Sequence, residues 1–298
     1  MTFVIWRPFE PRFQGKRLSA WAEDLYVSGT LLDNGGIPSW QERNEVVQKH
    51  QKATEAIRHI GAKALPYALK LCQARDSALK TRIEDWLDAQ NLVDFEFTSA
   101  VDKRLEGVYV FSALGPVAKP AIPFLILLLN DLSSGSTAAL ALYGIGPDSV
   151  DPLIEALGSR NVNTRKNAAY GLALLQARAT PAIPALVRCL KDEVAEVRYS
   201  AARALGYIGE ESDTVVPALI KCLESETNLS GSAQQIIMAL GRFGTNSHAA
   251  VPMLVQIVET NRSLPERFIA GSALSSLRKI DPETAAALAE KLEAAEHQ

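Results

Sequence analysis

Histidine, cysteine and carboxylate side chains are the groups in this chain whose chemistry could make an enzyme, so their spacing is the first question. The four histidines, His50, His59, His248 and His297, lie far apart, and none sits in an HExxH or HxH arrangement or beside a cysteine. Those are the spacings that turn two ligands onto one metal ion. The three cysteines, Cys72, Cys189 and Cys222, form no CxxC pair. An odd count without that spacing fits reduced thiols rather than a disulfide framework. No GxxxxGK[ST], GxGxxG or GxSxG stretch occurs, so neither a phosphate cradle nor a nucleophile elbow is encoded. The predicted site therefore has no catalytic residue, no metal ligand and no cofactor-binding residue.

Charge limits the partners next. The 298 residues carry 31 Lys and Arg against 34 Asp and Glu, a formal net charge of -3. Binding a phosphate backbone needs many cations that displace counterions, so the balance and the lack of a basic block argue against nucleic acid. With 47% hydrophobic residues the chain is rich enough in apolar side chains to build a packed core. The opening MTFVIWRPFEPRF has too brief an apolar run for a secretory signal, and the longest apolar run, Ala121 to Leu129, is about half a membrane span. These features place the protein in the cytoplasm with no membrane span.

The elements that must position any site come from an internal repeat. Alignment on Pro66, Pro123, Asp151, Pro184, Pro217 and Pro252 superposes ALPYALKLCQ, KPAIPFLILLLND, VDPLIEALGS, TPAIPALVRCLKD, DTVVPALIKCLES and AAVPMLVQIVET at intervals of 57, 28, 33, 33 and 35 residues. Upstream of each anchor lies a second apolar pattern, clearest in Val197, Ala201, Leu205 and Ile208, whose spacing predicts a helix. Gly61, Gly115, Gly146, Gly209 and Gly244 follow these helices. Glycine ends a helix readily and proline suits the first turn of the next, so each unit reads as helix A, a tight turn and helix B. Within helix B the second, third and sixth positions after the anchor are apolar, as in Leu186, Val187 and Leu190, and are predicted to bury against helix A. A last unit starts near Glu266 and restarts at Asp281 and Pro282.

The unit VRYSAARALGYIGEESDTVVPALIKCLES resembles the short bacterial HEAT repeat, often called the phycobilisome-lyase-like HEAT repeat, and NTRKNAAYGLALLQARATPAIPALVRCLKD is a second match. The resemblance covers roughly residues 51 to 292. It implies an all-α fold, a right-handed α-α superhelix (HEAT-repeat solenoid) of about seven helical pairs, with A helices convex and B helices concave. It also implies a turn contact between an acid after helix B and an arginine opening the next helix A, here Asp192 with Arg198 and Asp76 with Arg82. The solenoid specifies a scaffold and leaves function to its sites. Deoxyhypusine hydroxylase, a HEAT-fold iron enzyme, needs repeated His-Glu pairs that this chain does not contain. The alkylpurine DNA glycosylases of HEAT-like fold carry a basic concave surface, and no basic excess exists here. Bilin lyases share the repeat, and nothing in the sequence separates them from other members.

Residues 51–298 form the predicted solenoid, with an insertion at 77–106. There Leu79, Ile83, Trp86 and Leu87 predict a helix with Trp86 in a core, followed by a linker around Asn91 to Ser99. Residues 1–50 fall outside the frame: proline-punctuated aromatics, an amphipathic stretch from Leu18 to Tyr26, a turn-rich loop SGTLLDNGGIPS with Gly35, Gly36 and Pro38, and a helix from about Trp40. This extension reads as an end cap, the alternative being a docking segment built on Trp6, Phe9, Phe13 and Trp21.

On the concave side the first and fourth positions after each anchor point outward. The fourth are Lys70, Leu127, Glu155, Arg188, Lys221 and Gln256; the first are Tyr67, Phe124, Pro152, Ala185, Ala218 and Met253. Phe124 to Leu129 is apolar all round and must be covered, by the N-terminal segment in the preferred reading. Arg188 and Lys221 make a positive step beside Ala185 and Ala218, small residues that leave room for a chain. Cys189 and Cys222 sit at the fifth position as small buried hydrophobes, too far apart to bridge. The expected function is a non-enzymatic protein-binding scaffold or adaptor. Its concave groove, from Phe124 and Leu127 through Glu155, Arg188 and Lys221 to Gln256, would hold a segment of a partner protein. The alternative is a bilin lyase-like or other HEAT-fold enzyme. The sequence is silent on oligomeric state.

Overall fold

The computed structural model describes residues 10–33, 39–78, 80–82, 98–226, 233–260 and 267–296. The predicted helix and Trp86 within 83–97, the readings on Trp6, Phe9, Gly35, Gly36 and Pro38, the start at Glu266, and His297 lie outside those residues. Two compact units are formed, 1–149 and 150–298.

In the first unit a two-residue hairpin pairs Arg12–Phe13 with Lys16–Arg17. Its turn is Gln14 and Gly15, both at positive φ, as a tight primed turn requires. Helix α1 (Leu18–Asp33) follows, then α2 (Trp40–Ile60), α3 (Leu65–Cys72), α4 (Ala100–Leu114), α5 (Ile122–Leu128) and α6 (Gly135–Ile145). The predicted loop from Ser28 is helical as far as Asp33. Ser28 and Thr30 donate their hydroxyls back to Asp24 and Tyr26 carbonyls, satisfying themselves within the helix. Gly29 serves packing rather than a turn, because a Cβ there would collide with the Tyr109 ring. Helix α1 packs on α2 and α4, and the hairpin on α2. Phe13 stacks at 4.3 Å from His59, and the Trp21 indole donates to the Phe13 carbonyl at 3.1 Å. Both aromatics are half-buried and held by contacts within the first unit.

The second unit holds α7 (Val150–Ala156), α8 (Val162–Leu175), α9 (Ile183–Cys189), α10 (Ala195–Ile208), α11 (Ser212–Ser225), α12 (Gln234–Arg242), α13 (Val251–Thr260), α14 (Arg267–Ile280) and α15 (Pro282–Glu296). A helices stack on A helices, α8 on α10, α10 on α12 and α12 on α14, while each B helix packs on an A helix beside it. Among the described residues the first unit holds two helical pairs, α2/α3 and α4/α5, with α6 after them, and the second holds α7 followed by four pairs, α8/α9 to α14/α15. The expected all-α architecture is thus the observed one.

The turns follow the predicted chemistry with one exception. Gly61, Gly115, Gly146, Gly209 and Gly244 all have positive φ. At the end of α8 the same place is taken by Gln176, at φ 51 and ψ -134, a conformation that strains a residue with a Cβ. Short 3-10 segments lead into α3, α5, α7, α9 and α13. Residues 100–128 are as long and apolar as a membrane span, but Gly115 at φ 54 and the 3-10 segment after it divide them into α4 and α5.

Candidate binding surface on the B helices

Helix B carries a wider buried stripe than predicted. The second, fifth and sixth positions after the anchor are buried, as in Leu186, Cys189 and Leu190, or Leu219, Cys222 and Leu223; the one departure is Leu128, half-buried. The third position, exemplified by Val187, Ile220 and Val255, is half-buried rather than fully inside. The fourth is exposed in every B helix from α3 to α13: Lys70, Leu127, Glu155, Arg188, Lys221 and Gln256. A helix with a stripe this broad has room for one solvent-facing row. Ala185 is 5% exposed, so it does not border an open channel beside Arg188. The first position lies at the stripe's edge, and only Phe124 is exposed there; Tyr67 is half-buried and donates to Glu106 at 2.9 Å.

In the first unit the row presents Phe124 and Leu127, 56% and 70% exposed. Described N-terminal residues pack on α2 and α4 and leave these two side chains in solvent, which corrects the expected covering of α5. In the second unit it presents Glu155, Arg188, Lys221 and Gln256. Neither Arg188 nor Lys221 is engaged in an ion pair among the described residues.

Two paired arginines close the repeats α8/α9 and α10/α11. Arg165 grips Asp192 through Nε and Nη2, both at 2.8 Å, and turns Nη1 to the Ser159 and Arg160 carbonyls. Arg198 repeats this with Glu226, at 2.7 and 3.0 Å, and with the carbonyls of Asp192 and Glu193. So Arg198 meets Asp192 only at its backbone, and the expected carboxylate contact is displaced one repeat downstream. The guanidinium fork explains it: one edge closes the preceding turn while the other reaches the acid ending its own unit's B helix. Asp76 bonds Lys80 at 2.6 Å and accepts the Ala100 amide at 3.0 Å, in place of Arg82. The recurring 27- and 28-residue interval from arginine to acid was the signal available in the sequence.

Burial pushes the Cys72 thiol up to about 12 and the Cys222 thiol up to about 11, which keeps them protonated and unreactive. Among the described residues no group of three or more His, Cys, Asp or Glu side chains could hold a metal ion.

Residues 122–206 and 150–230 match the family of HEAT repeats. The structure is similar to the karyopherin Kap121p bound to the extreme C-terminus of the protein phosphatase Cdc14p, with a TM-score of 0.51 and 14% identity over 93% of this chain and 32% of that one. Kap121p bound to the SUMO protease Ulp1p gives a TM-score of 0.51 and 14% identity, over 93% and 31%. Human deoxyhypusine hydroxylase in complex with glycerol gives a TM-score of 0.34 and 19% identity, over 88% and 98%. This chain spans about a third of the karyopherin chains it matches. No curated protein matches the sequence. The chain carries HEAT repeats, and its fold class is the all-α HEAT-repeat solenoid.

Proposed function

We propose that this chain is a non-enzymatic scaffold whose B-helix row holds a segment of a partner protein. The carrying observation is that the fourth position is exposed in every B helix from α3 to α13, with the cations Arg188 and Lys221 unpaired on successive units. Phe124 and Leu127 add an apolar contact in the first unit, Glu155 and Gln256 polar contacts in the second. Kap121p, of the same fold, binds the extreme C-terminus of another protein, which supports the reading. The repeats belong in this proposal to the short bacterial, phycobilisome-lyase-like type, and the protein works in the cytoplasm. The test is a pull-down from native lysate with wild type beside an Arg188→Glu, Lys221→Glu double variant of unchanged helicity. A protein retained by wild type alone is the expected result. Equal retention by both baits overturns the role of this row, and retention by neither overturns the scaffold reading.

A further inference from the structure

The A-helix side of the second unit carries a cleft that the B-helix reading does not use. It lies between α12 and α14, has a volume of about 540 Å³, and falls within the range of ligand sites. Gln234, Met238 and Arg242 line one wall at intervals of four residues, one face of a helix. Phe268, Ser272, Ser275 and Lys279 line the other, with Gly271 and Ser276 between them.

The two helices touch at one level and part at another. At Gly241 they are so close that a Cβ would stand 2.6 Å from the Ser276 hydroxyl, and that hydroxyl donates to the Ile237 carbonyl at 3.0 Å. Beside this contact Gly271, Ser272 and Ser275 leave space that larger residues would fill. Gln234 donates to Ser272 at 2.7 Å across the cleft.

Among the described residues the lining carries charge of one sign. Arg242 and Lys279 supply two cations, no Asp or Glu is among the described lining residues, and neither cation forms an ion pair among the described residues. The Arg242 guanidinium lies 3.9 Å from the Tyr207 ring, fixed by that stacking. Its Nη1 is buried and meets no acceptor among the described residues. A buried charged donor without an acceptor is costly unless a ligand supplies one. Phe268, 74% exposed, offers an apolar edge with half-buried Met238 opposite. Gly271, Ser275 and Lys279 are exposed, so the cleft is open along one side, as suits a peptide more than an enclosed small molecule. From Gln234 to Arg242 the wall is about 12 Å long, the span of about four extended residues.

We infer that this cleft binds a short acidic peptide segment of another protein, its carboxylate on Arg242 and Lys279 and an apolar side chain against Met238 and Phe268. This site is independent of the B-helix row. The probe is a fluorescein-labelled peptide of alternating Glu and Phe, five residues long, with a Gln-for-Glu peptide as control, titrated with the full chain by anisotropy. The Glu peptide is expected to bind at least tenfold more tightly, its affinity falling with salt. Arg242→Gln and Lys279→Gln should each weaken it at least fivefold and leave the Gln peptide unchanged. Ser275→Trp, at an exposed position that leaves the core intact, should block it. The Arg188→Glu, Lys221→Glu variant should bind as wild type does, which separates this site from the one proposed above. Equal affinity for the two peptides, full binding by Ser275→Trp or Lys279→Gln, or loss in the Arg188→Glu, Lys221→Glu variant would each overturn the assignment.

Discussion

At the scale of single residues, stability should depend on pH through a few carboxylates with opposite signs. Burial raises Asp192, but hydrogen bonds from Arg165 and the Val194 amide outweigh it, and the net value is lowered. Burial likewise opposes and Arg198 and Tyr199 outweigh it at Glu226. A lowered folded value means stability present above the unfolded value of about 4 and lost as pH falls through the folded one. Asp192→Asn leaves the Arg165 fork without its counter-ion, with both side chains of the pair 11% exposed, and should cost about 3 kcal/mol at pH 7. In urea titrations at pH 7, 5 and 3 the gap to wild type should close towards the lowest pH; a constant gap would refute the assignment. Glu106 runs the other way: burial raises it, Glu23 adds to the rise, and the Tyr67 hydroxyl opposes it. Its folded state therefore holds the proton more tightly, and its contribution is lost as pH rises through the raised value. Glu106→Gln keeps an acceptor for Tyr67 and should be the more stable protein at pH 8, with the advantage gone below about pH 4. A urea midpoint at pH 8 no higher than wild type's would contradict this. The inert cysteines could be read from composition and repeat position alone. The Arg-to-acid clamps left a weaker signal, because the six-residue Asp–Arg spacing lies nearer in sequence than the recurring 27- and 28-residue interval that the fold closes.

At the scale of elements, the turn after each A helix tests whether the repeat rule is physical. Five of these turns use glycine at positive φ, and the turn after α8 places Gln176 at φ 51 and ψ -134, close to the course of Gly61 and Gly115. Gln176→Gly should therefore stabilise the protein by about 1 kcal/mol, a rise in melting temperature of about 2 °C by calorimetry; a fall would show that the side chain earns its strained place. Helix existence was legible because apolar spacing and Gly–Pro punctuation are local. Helix ends were less so: at Ser28 to Asp33 the residues suited a loop, and hydroxyl back-bonding together with the close pass of Tyr109 made them helix. Helix B's burial was also misjudged by one position, since the apolar pattern of Leu186, Val187 and Leu190 reads the same whichever edge of the stripe meets helix A.

At the scale of the whole molecule, repeats that contact only their neighbours make stability modular. Residues 150–298 contain four helical pairs with their own buried core. Expressed alone, they should keep the helicity per residue of the full chain and unfold cooperatively in urea, as read by circular dichroism. A gradual, non-cooperative loss would mean that this half depends on residues 1–149. The molecule then carries two proposed surfaces on different helix sets, the B-helix row with Arg188 and Lys221 and the α12–α14 cleft with Arg242 and Lys279. Because they share no residue, charge changes at one should leave the other's affinity intact.

The sequence by itself determined the all-α class, the period near 33 residues, the helix-turn-helix unit, and that the fourth position of helix B faces solvent. All of these depend on periodicity and on the backbone preferences of glycine and proline, which act over a few residues. Tertiary structure alone decided which acid each arginine clamps and that Phe124 and Leu127 stay exposed. It also decided that Arg242, stacked on Tyr207, meets Lys279 across a cleft. Those facts depend on how helices 20 to 40 residues apart approach one another, and the approach is set by packing at contacts such as Gly241 on Ser276, which no local pattern encodes.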